Sequence, residues 1–314
     1  MEHTYSNPQA SPAATPCNIF FRIPKTASFT LRNLVSREYR KVPCLDTDFP
    51  LLSPESWQHF LKCVELLPEE KRAQYRSIVG HMKFGVHEIL PGSARYVTFL
   101  RDPVKRFASY YYMLRRIGLV IPTHRFEPTR PDWNMPGHES FPRELDNCQT
   151  RALANADLNL PFGQCTEKHL EQAKANIEKH FVFVGLTERF DLSLMLIRRL
   201  CGWRWHFYVP KNATPQFTTE QRLCPDVLEA IGRLNRFDRE LYSFAAQRFE
   251  ETVRQQGLSL KIEHAGFISC NLLHKKFHRI YRPLKRAIRG DSKVRKRTPS
   301  TKTPTKTADS PSAE

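Results

Sequence analysis

Short apolar runs alternate with stretches of helical periodicity along most of this chain. CNIFFRI (17–23) is a mostly apolar run that stops at Pro24, the pattern of a strand covered on both faces. The polar segment PKTASFT follows it, and then Leu31, Leu34 and Val35 recur at helical spacing. Residues 54–75 read as one helix, with Trp57, Phe60, Leu61 and Val64 along one face, and SIVGH (77–81) as a second short strand. ARYVTFL (94–100) is the clearest strand after the first. It passes directly into the helix of RDPVKRFASYYYMLRR, where Asp102 is placed to cap and Pro103 to occupy the first helical position. Helices are expected over 144–156 and 166–179. FVFVGLTE (181–188) gives another buried strand, DLSLMLIRRLCG a helix, and 219–256 further helices. Apolar strands alternating with helices indicate an α/β domain with a central, mostly parallel sheet flanked by helices on both faces.

Two stretches break the pattern. Residues 118–143 carry Pro, Arg and His without periodicity, and a loop of that length in a compact domain is usually functional or disordered. PKNATPQFT, after WRWHFYV, is a second polar loop. Residues 1–16 read as a disordered polar lead, 17–260 as the folded domain, 261–290 as a basic amphipathic segment and 291–314 as a disordered basic tail.

Composition adds a charge problem. The 314 residues hold 49 Lys+Arg against 32 Asp+Glu, a formal charge of +17. The excess is uneven: residues 271–314 contain 13 basic and 3 acidic side chains, leaving 36 against 29 in the rest. Most of the imbalance therefore lies outside the domain, which disfavours nucleic-acid binding by the folded body. The apolar share of 40% excludes wholesale disorder, and no run of 18 apolar residues marks a membrane-spanning helix. The eight cysteines form no C-x-x-C pair or Cys/His ligand set, so reduced thiols and no metal are expected. The first sixteen residues lack the features of a signal peptide, so a cytoplasmic location is expected, with the basic segment as a possible peripheral membrane contact.

Chemistry concentrates where strands pass into helices. PKTASFT sets Lys25, Thr26, Ser28 and Thr30 around a helix N-terminus, where free N–H groups, the helix dipole and a lysine can cradle a phosphate. It is not a Walker loop, since no glycine lies between Cys17 and Gly80. An ordinary capped helix that happens to contain a lysine is the plain alternative. RDPVKRFAS puts Arg101 at a strand end and Ser109 close to two helical turns past Asp102, on the side of that strand end. Two anion sites at two strand ends imply a ligand with phosphates at both ends.

FFRIPKTASFT and RDPVKRFASYYY together resemble the sulfotransferases that use 3′-phosphoadenosine 5′-phosphosulfate. The wording is most similar to carbohydrate sulfotransferases of the hexuronate 2-O type, and GHMKFGVHEILP, DNCQTRALAN and FVFVGLTERFD are similar to segments of related bacterial enzymes. The resemblance spans about 17–256 and implies a P-loop-like three-layer fold. It implies that Lys25, Thr26, Ala27, Ser28, Phe29 and Thr30 wrap the 5′-phosphosulfate, and that Arg101 and Ser109 take the 3′-phosphate. Asn212 and Thr214, with Lys211, match a region that closes over the nucleotide. Arg22 matches an arginine that contacts an acceptor carboxylate, and His81 matches the family's base. Val79 stands where some animal relatives have a second histidine, and no counterpart of the Golgi members' membrane anchor is expected. Gln149 and Arg151 fit an acceptor-side helix flanking a cleft.

The resulting expectation is sulfuryl transfer from that donor to a hydroxyl of a carbohydrate, a uronate-containing or other anionic glycan, by in-line displacement. His81, with an ordinary imidazole pKa of about 6.5, is the base and Lys25 stabilises charge on the leaving group. His87 is a rival base, Asp102 a cap, Arg106 a tie between helix and sheet, and Glu188 a group that orients a nearby arginine. The alternatives are an atypical small-molecule kinase, which the absent Walker spacing disfavours, and a nucleic-acid-binding module using the tail. NLLHKKFHRIYRPLKRAIRG (271–290) reads as a basic amphipathic helix that Pro283 could kink. It either packs on the domain or lies on an anionic membrane surface.

Overall fold

The computed structural model describes residues 16–47, 54–116, 144–204, 207–210 and 225–288. Nearly all of the polar N-terminal lead, the whole 118–143 insertion, the basic tail and the candidates Lys211, Asn212 and Thr214 lie outside the described residues.

Five strands form one all-parallel sheet: β1 (Cys17–Phe21), β2 (Cys44–Thr47), β3 (Ser77–Gly80), β4 (Ala94–Leu100) and β5 (Phe181–Leu186), in the order β2-β3-β1-β4-β5. Parallel pairing sets Phe21 beside Gly80 on one side and beside Thr98 on the other. Alternate side chains feed two cores. Ile19, Phe21, Ile78, Tyr96 and Phe181 point to one face, and Phe20, Val79, Val97, Phe99 and Phe183 to the other. Burial on both faces is why these strands read as apolar runs rather than alternating ones.

Helices cover both faces. On the second face lie α1 (Ser28–Glu38), α7 (Phe190–Cys201) and α10 (Gly257–Ile288). The first face is covered by α2 (Pro54–Glu65), α5 (Cys148–Leu153) and α6 (Glu167–His180). The remaining helices are α3 (Glu69–Arg72), α4 (Pro103–Arg116), α8 (Pro225–Leu234) and α9 (Arg236–Gln255), the last of which touches both cores.

Three boundaries differ from the sequence reading. The single helix expected over 54–75 is two, because Pro68 is extended (ψ 146°) and cannot continue a helix. The helix expected over 144–156 is interrupted: Glu144 and Leu145 are helical, Asn147 adopts a left-handed conformation, and a separate helix runs over Cys148–Leu153. Strand β2, with the polar sequence CLDT and no fully buried residue, was not expected; an edge strand with one neighbour needs no apolar run. The C-terminal helix starts at Gly257 and continues past Pro283 to Ile288.

Candidate active site

Because every strand runs parallel, the carboxyl ends share one edge of the sheet. Arg22 follows β1, His81 follows β3 and Arg101 follows β4 directly. The chain leaves the central β1 toward β2 and β3 and later resumes on its other side with β4. This reversal of strand order marks where open α/β sheets bind ligands.

The loop from β1 into α1 holds two non-glycine residues in the left-handed region, Lys25 (φ 69°) and Ala27 (φ 59°). Such residues cost about 1–3 kcal/mol each and persist only where their surroundings enforce them. Here the Thr26 hydroxyl donates to the Ile23 carbonyl (2.9 Å), and the Arg101 guanidinium donates to the Lys25 carbonyl (3.1 Å). The amides of Thr30 and Leu31 donate to the Ala27 carbonyl, so those of Thr26, Ala27 and Ser28 precede the first helical hydrogen bond. Alternating backbone handedness at a helix start makes a concave, anion-receptive turn. Thr26, Ser28 and Thr30 are buried, whereas Phe29 faces outward.

The second strand end is tied to the first. Arg101 reaches Lys25 through the hydrogen bond already given, while Gln149 grips its backbone from behind. The Arg101 amide donates to Gln149 Oε1 (2.8 Å), and Gln149 Nε2 donates to the Arg101 carbonyl (2.9 Å). Glu188 Oε1 lies 4.0 Å from Arg101 Nε and accepts from the Asp102 amide, which places it as the orienting group the sequence indicated. Asp102 caps α4 by accepting from the Lys105 amide (3.0 Å). Ser109 is buried on α4. Arg106, fully buried, pairs with Glu144 (3.1 Å) ahead of α5 and so ties α4 to that segment instead of the sheet.

His81 sits half-buried against β1. Its Nδ1 is 2.8 Å from the Arg22 carbonyl oxygen. A carbonyl only accepts, so Nδ1 carries the proton and the neutral ring keeps its lone pair on Nε2. The next residue back, Gly80, has no room for a side chain: a Cβ there would lie 1.5 Å from Thr47 Oγ1 and 2.9 Å from Thr47 Cβ. The edge strand thus crosses closely over the residue that leads into His81. Burial, then the Arg22 charge, pushes the His81 imidazole down to about 3. The ordinary value near 6.5 expected from sequence therefore does not hold for the free protein. An NMR titration is expected to find the His81 ring neutral, with no midpoint between pH 5 and 8; a midpoint near 6.5 would contradict this. The unfolded chain protonates this ring near 6.5 and the fold does not. Its contribution to stability is thus complete above that pH and falls away as pH drops toward 3.

Arg22 is buried, and its Nε has no hydrogen-bond partner. Burial, followed by the charge of Arg32, pushes its guanidinium down to about 10, while Asp46 opposes the shift. Arg32 on α1 is held by Asp46 on β2 through contacts of 2.8 and 2.9 Å. Sequence reading missed this pair, because its members are distant in sequence and only the parallel sheet brings β2 beside α1.

Gln149 and Arg151 are placed differently from the expectation. Gln149 is 0% exposed and bonded to Arg101 and to Asp238. Arg151 pairs with Asp146 and donates to the carbonyls of Leu160 and Pro161 (2.7 Å each). Both side chains are held by partners inside the protein, although the buried Nε of Arg151 has none, and neither is placed on an open cleft wall as expected. They belong to a reciprocal capping arrangement. Asp238, in the first turn of α9, accepts from the Gln149 and Thr150 amides at the start of α5. Asn147, which caps α5, accepts in return from the Phe237 and Asp238 amides. His87 bonds Tyr96 (3.0 Å) and packs against His180 (ring centroids 4.5 Å apart) on the same side of the sheet as Phe84. Its own ring contacts thus account for it without a role as base.

Among the described residues no group of three or more His, Cys, Asp or Glu could hold a metal ion, and the seven described cysteines are free. The arrangement offers two linked anion-receptive strand ends, a histidine with a defined lone pair, and a buried cation beside it.

Comparison with known proteins accords with this chemistry. Residues 3–265 match the family described as galactose-3-O-sulfotransferase. The chain is 27% identical over 293 residues to heparan sulfate 2-O-sulfotransferase 1 of Gallus gallus, covering 83% of this chain and 78% of that protein. The human protein of that name is 25% identical over the same coverage. Human galactose-3-O-sulfotransferase 2 is 26% identical over 196 residues, 59% of this chain and 48% of its own length.

Proposed function

We propose a function from one premise: the chain belongs to the galactose-3-O-sulfotransferase family of carbohydrate sulfotransferases. The proposed reaction is transfer of a sulfuryl group from 3′-phosphoadenosine 5′-phosphosulfate to a hydroxyl of a uronate-containing or other anionic glycan. The residues at the sheet edge fit such a donor. The turn at Lys25–Ser28 supplies amides and a lysine for its 5′ end, and Arg101, with Ser109 on the following helix, suits the 3′-phosphate. The donor brings an activated sulfuryl group and no metal enters the proposal.

The rest of the chemistry falls to this chain. His81 accepts the hydroxyl proton at Nε2, the position left free by the hydrogen bond from Nδ1 to Arg22. Lys25 stabilises the negative charge that develops at the leaving oxygen. Gln149 acts as a positioning residue, holding the Arg101 backbone from both its amide and its carbonyl. The low proton affinity of His81 in the free protein rises when anionic ligands occupy the site, because negative charge nearby favours the imidazolium.

One observation favours an acidic acceptor. The residue whose carbonyl orients the histidine, Arg22, is also a buried cation with an unpartnered Nε. A carboxylate bound by that guanidinium would bring its own sugar ring to the base. This supports the uronate reading over a neutral galactoside, although both acceptor classes appear among the names of similar proteins.

Calorimetric titration tests the donor half. Adenosine 3′,5′-bisphosphate is expected to bind at least ~10-fold more tightly than adenosine 5′-monophosphate, a difference of about 1.4 kcal/mol for the charge-assisted 3′ contact. Arg101→Ala is expected to remove most of that preference. Equal affinity for the two nucleotides, or tighter binding of ATP or DNA, would count against the assignment.

A further inference from the structure

The long C-terminal helix is fastened along one side and open along the other. On its inner side Leu260, Phe267 and Asn271 are buried. Phe207 stacks on Phe267 with centroids 5.8 Å apart, and Asn271 Oδ1 accepts from the Tyr208 amide (2.9 Å). Glu263 anchors the same side through Arg198 (2.5 Å) and Arg199 (2.8 Å). The helix is thus a fixed part of the domain, and its outward face cannot turn inward without breaking these contacts.

That outward face is apolar. Leu258, Ile262, Leu273, Phe277 and Ile280 are each 65–73% exposed. Their successive spacings of four, eleven, four and three residues are close to whole numbers of helical turns, so they form one stripe. Exposed Lys261, Lys276 and Arg279 lie within or beside it. Between Glu263 and Asp291 the sequence contains no carboxylate at all, while Arg282, Lys285, Arg286 and Arg289 continue the basic run.

We propose that this face of α10 is a docking surface for an anionic lipid bilayer, lying along the interface with its apolar stripe toward the acyl chains. Charge selects this occupant. Long basic side chains can bury their stems and place their charged ends among lipid phosphates. A second copy of the helix fits less well. Pairing would bring two carboxylate-free basic faces together with no opposite charge between them. The positions between the apolar residues are Gly266, Ser269 and Lys276, which make a poor packed seam. The inference does not depend on the donor or the acceptor. Its consequence is an enzyme held beside a membrane.

Flotation of the full chain with phosphatidylcholine vesicles, with and without phosphatidylglycerol, tests the proposal. Partition onto the anionic vesicles is expected to be at least ~10-fold stronger, and to weaken as salt rises. Two exposed double variants are compared, Leu273→Asp with Phe277→Asp and Lys276→Glu with Arg279→Glu. Each is expected to lose at least ~10-fold in partition, with nucleotide binding unchanged as the measure of an intact fold. Equal partition onto neutral and anionic vesicles would overturn the proposal, as would undiminished partition of both variants. So would a vesicle-free dimer that the Leu273→Asp, Phe277→Asp variant dissociates without any lipid binding by the parent.

Discussion

Replacing His81 with alanine is expected to lower kcat by about 10²–10⁴, the range for losing a positioned general base. The size follows from how the ring is held. Its Nδ1 proton is committed to the Arg22 carbonyl, so the neutral ring has one lone pair to offer, at Nε2. No described neighbour duplicates that arrangement, and His87 is already bonded to Tyr96. Alanine at 81 leaves the β3 ladder intact, because pairing ends at Gly80. Binding of adenosine 3′,5′-bisphosphate should therefore stay within about threefold of the parent value, less than 1 kcal/mol. Steady-state transfer assays read the first quantity and calorimetry the second. A variant retaining more than about a tenth of the parent kcat would exclude His81 as the base.

Lys25→Ala carries the second large effect, an expected loss of about 10²–10³ in kcat, as for removal of one preorganised charge-stabilising donor. The substitution isolates the ammonium from the loop. Lys25 is left-handed at φ 69°, and alanine meets the same backbone penalty as lysine there, so no new strain arises. The feature that pins residue 25 is its carbonyl, held by Arg101, and alanine keeps that carbonyl. The loop should keep its shape while losing one positive charge. Nucleotide affinity should fall less than turnover, since the ammonium acts most on charge that appears during transfer. Equal loss in binding and in kcat/KM with kcat unchanged would reassign Lys25 to ground-state binding alone.

Part of this site is legible in the sequence. The segment 94–100 is a strand with those limits, and the loop at 24–30 and the strand end at Arg101 prove to be neighbours joined by a hydrogen bond. Such features are legible because they depend on local signals: an apolar run, a capping aspartate followed by proline, a lysine at a helix start. The parts that were not legible depend on distant partners. Gln149 and Arg151 read as acceptor-side residues flanking a cleft, but Asp238, 89 positions after Gln149, occupies that helix start. Strand β2 escaped notice because an edge position tolerates CLDT. The depressed proton affinity of His81 arises from burial against Arg22, 59 positions away, which no spacing rule could reveal. The terminal helix packs on the domain through one face, as one of its two readings has it, and leaves an apolar, basic face outward.

We propose that a single residue, Arg22, couples recognition of an acidic sugar to the histidine that deprotonates its hydroxyl. The most direct measurement compares sulfuryl transfer from 3′-phosphoadenosine 5′-phosphosulfate to a uronate-containing glycan and to the same glycan with its carboxyl groups reduced to alcohols. Carboxyl reduction is expected to lower kcat/KM by about 10²-fold or more, the cost of leaving a buried cation unpaired, and Arg22→Gln to abolish the difference. Equal transfer to the intact and the reduced glycan by the parent protein would contradict it.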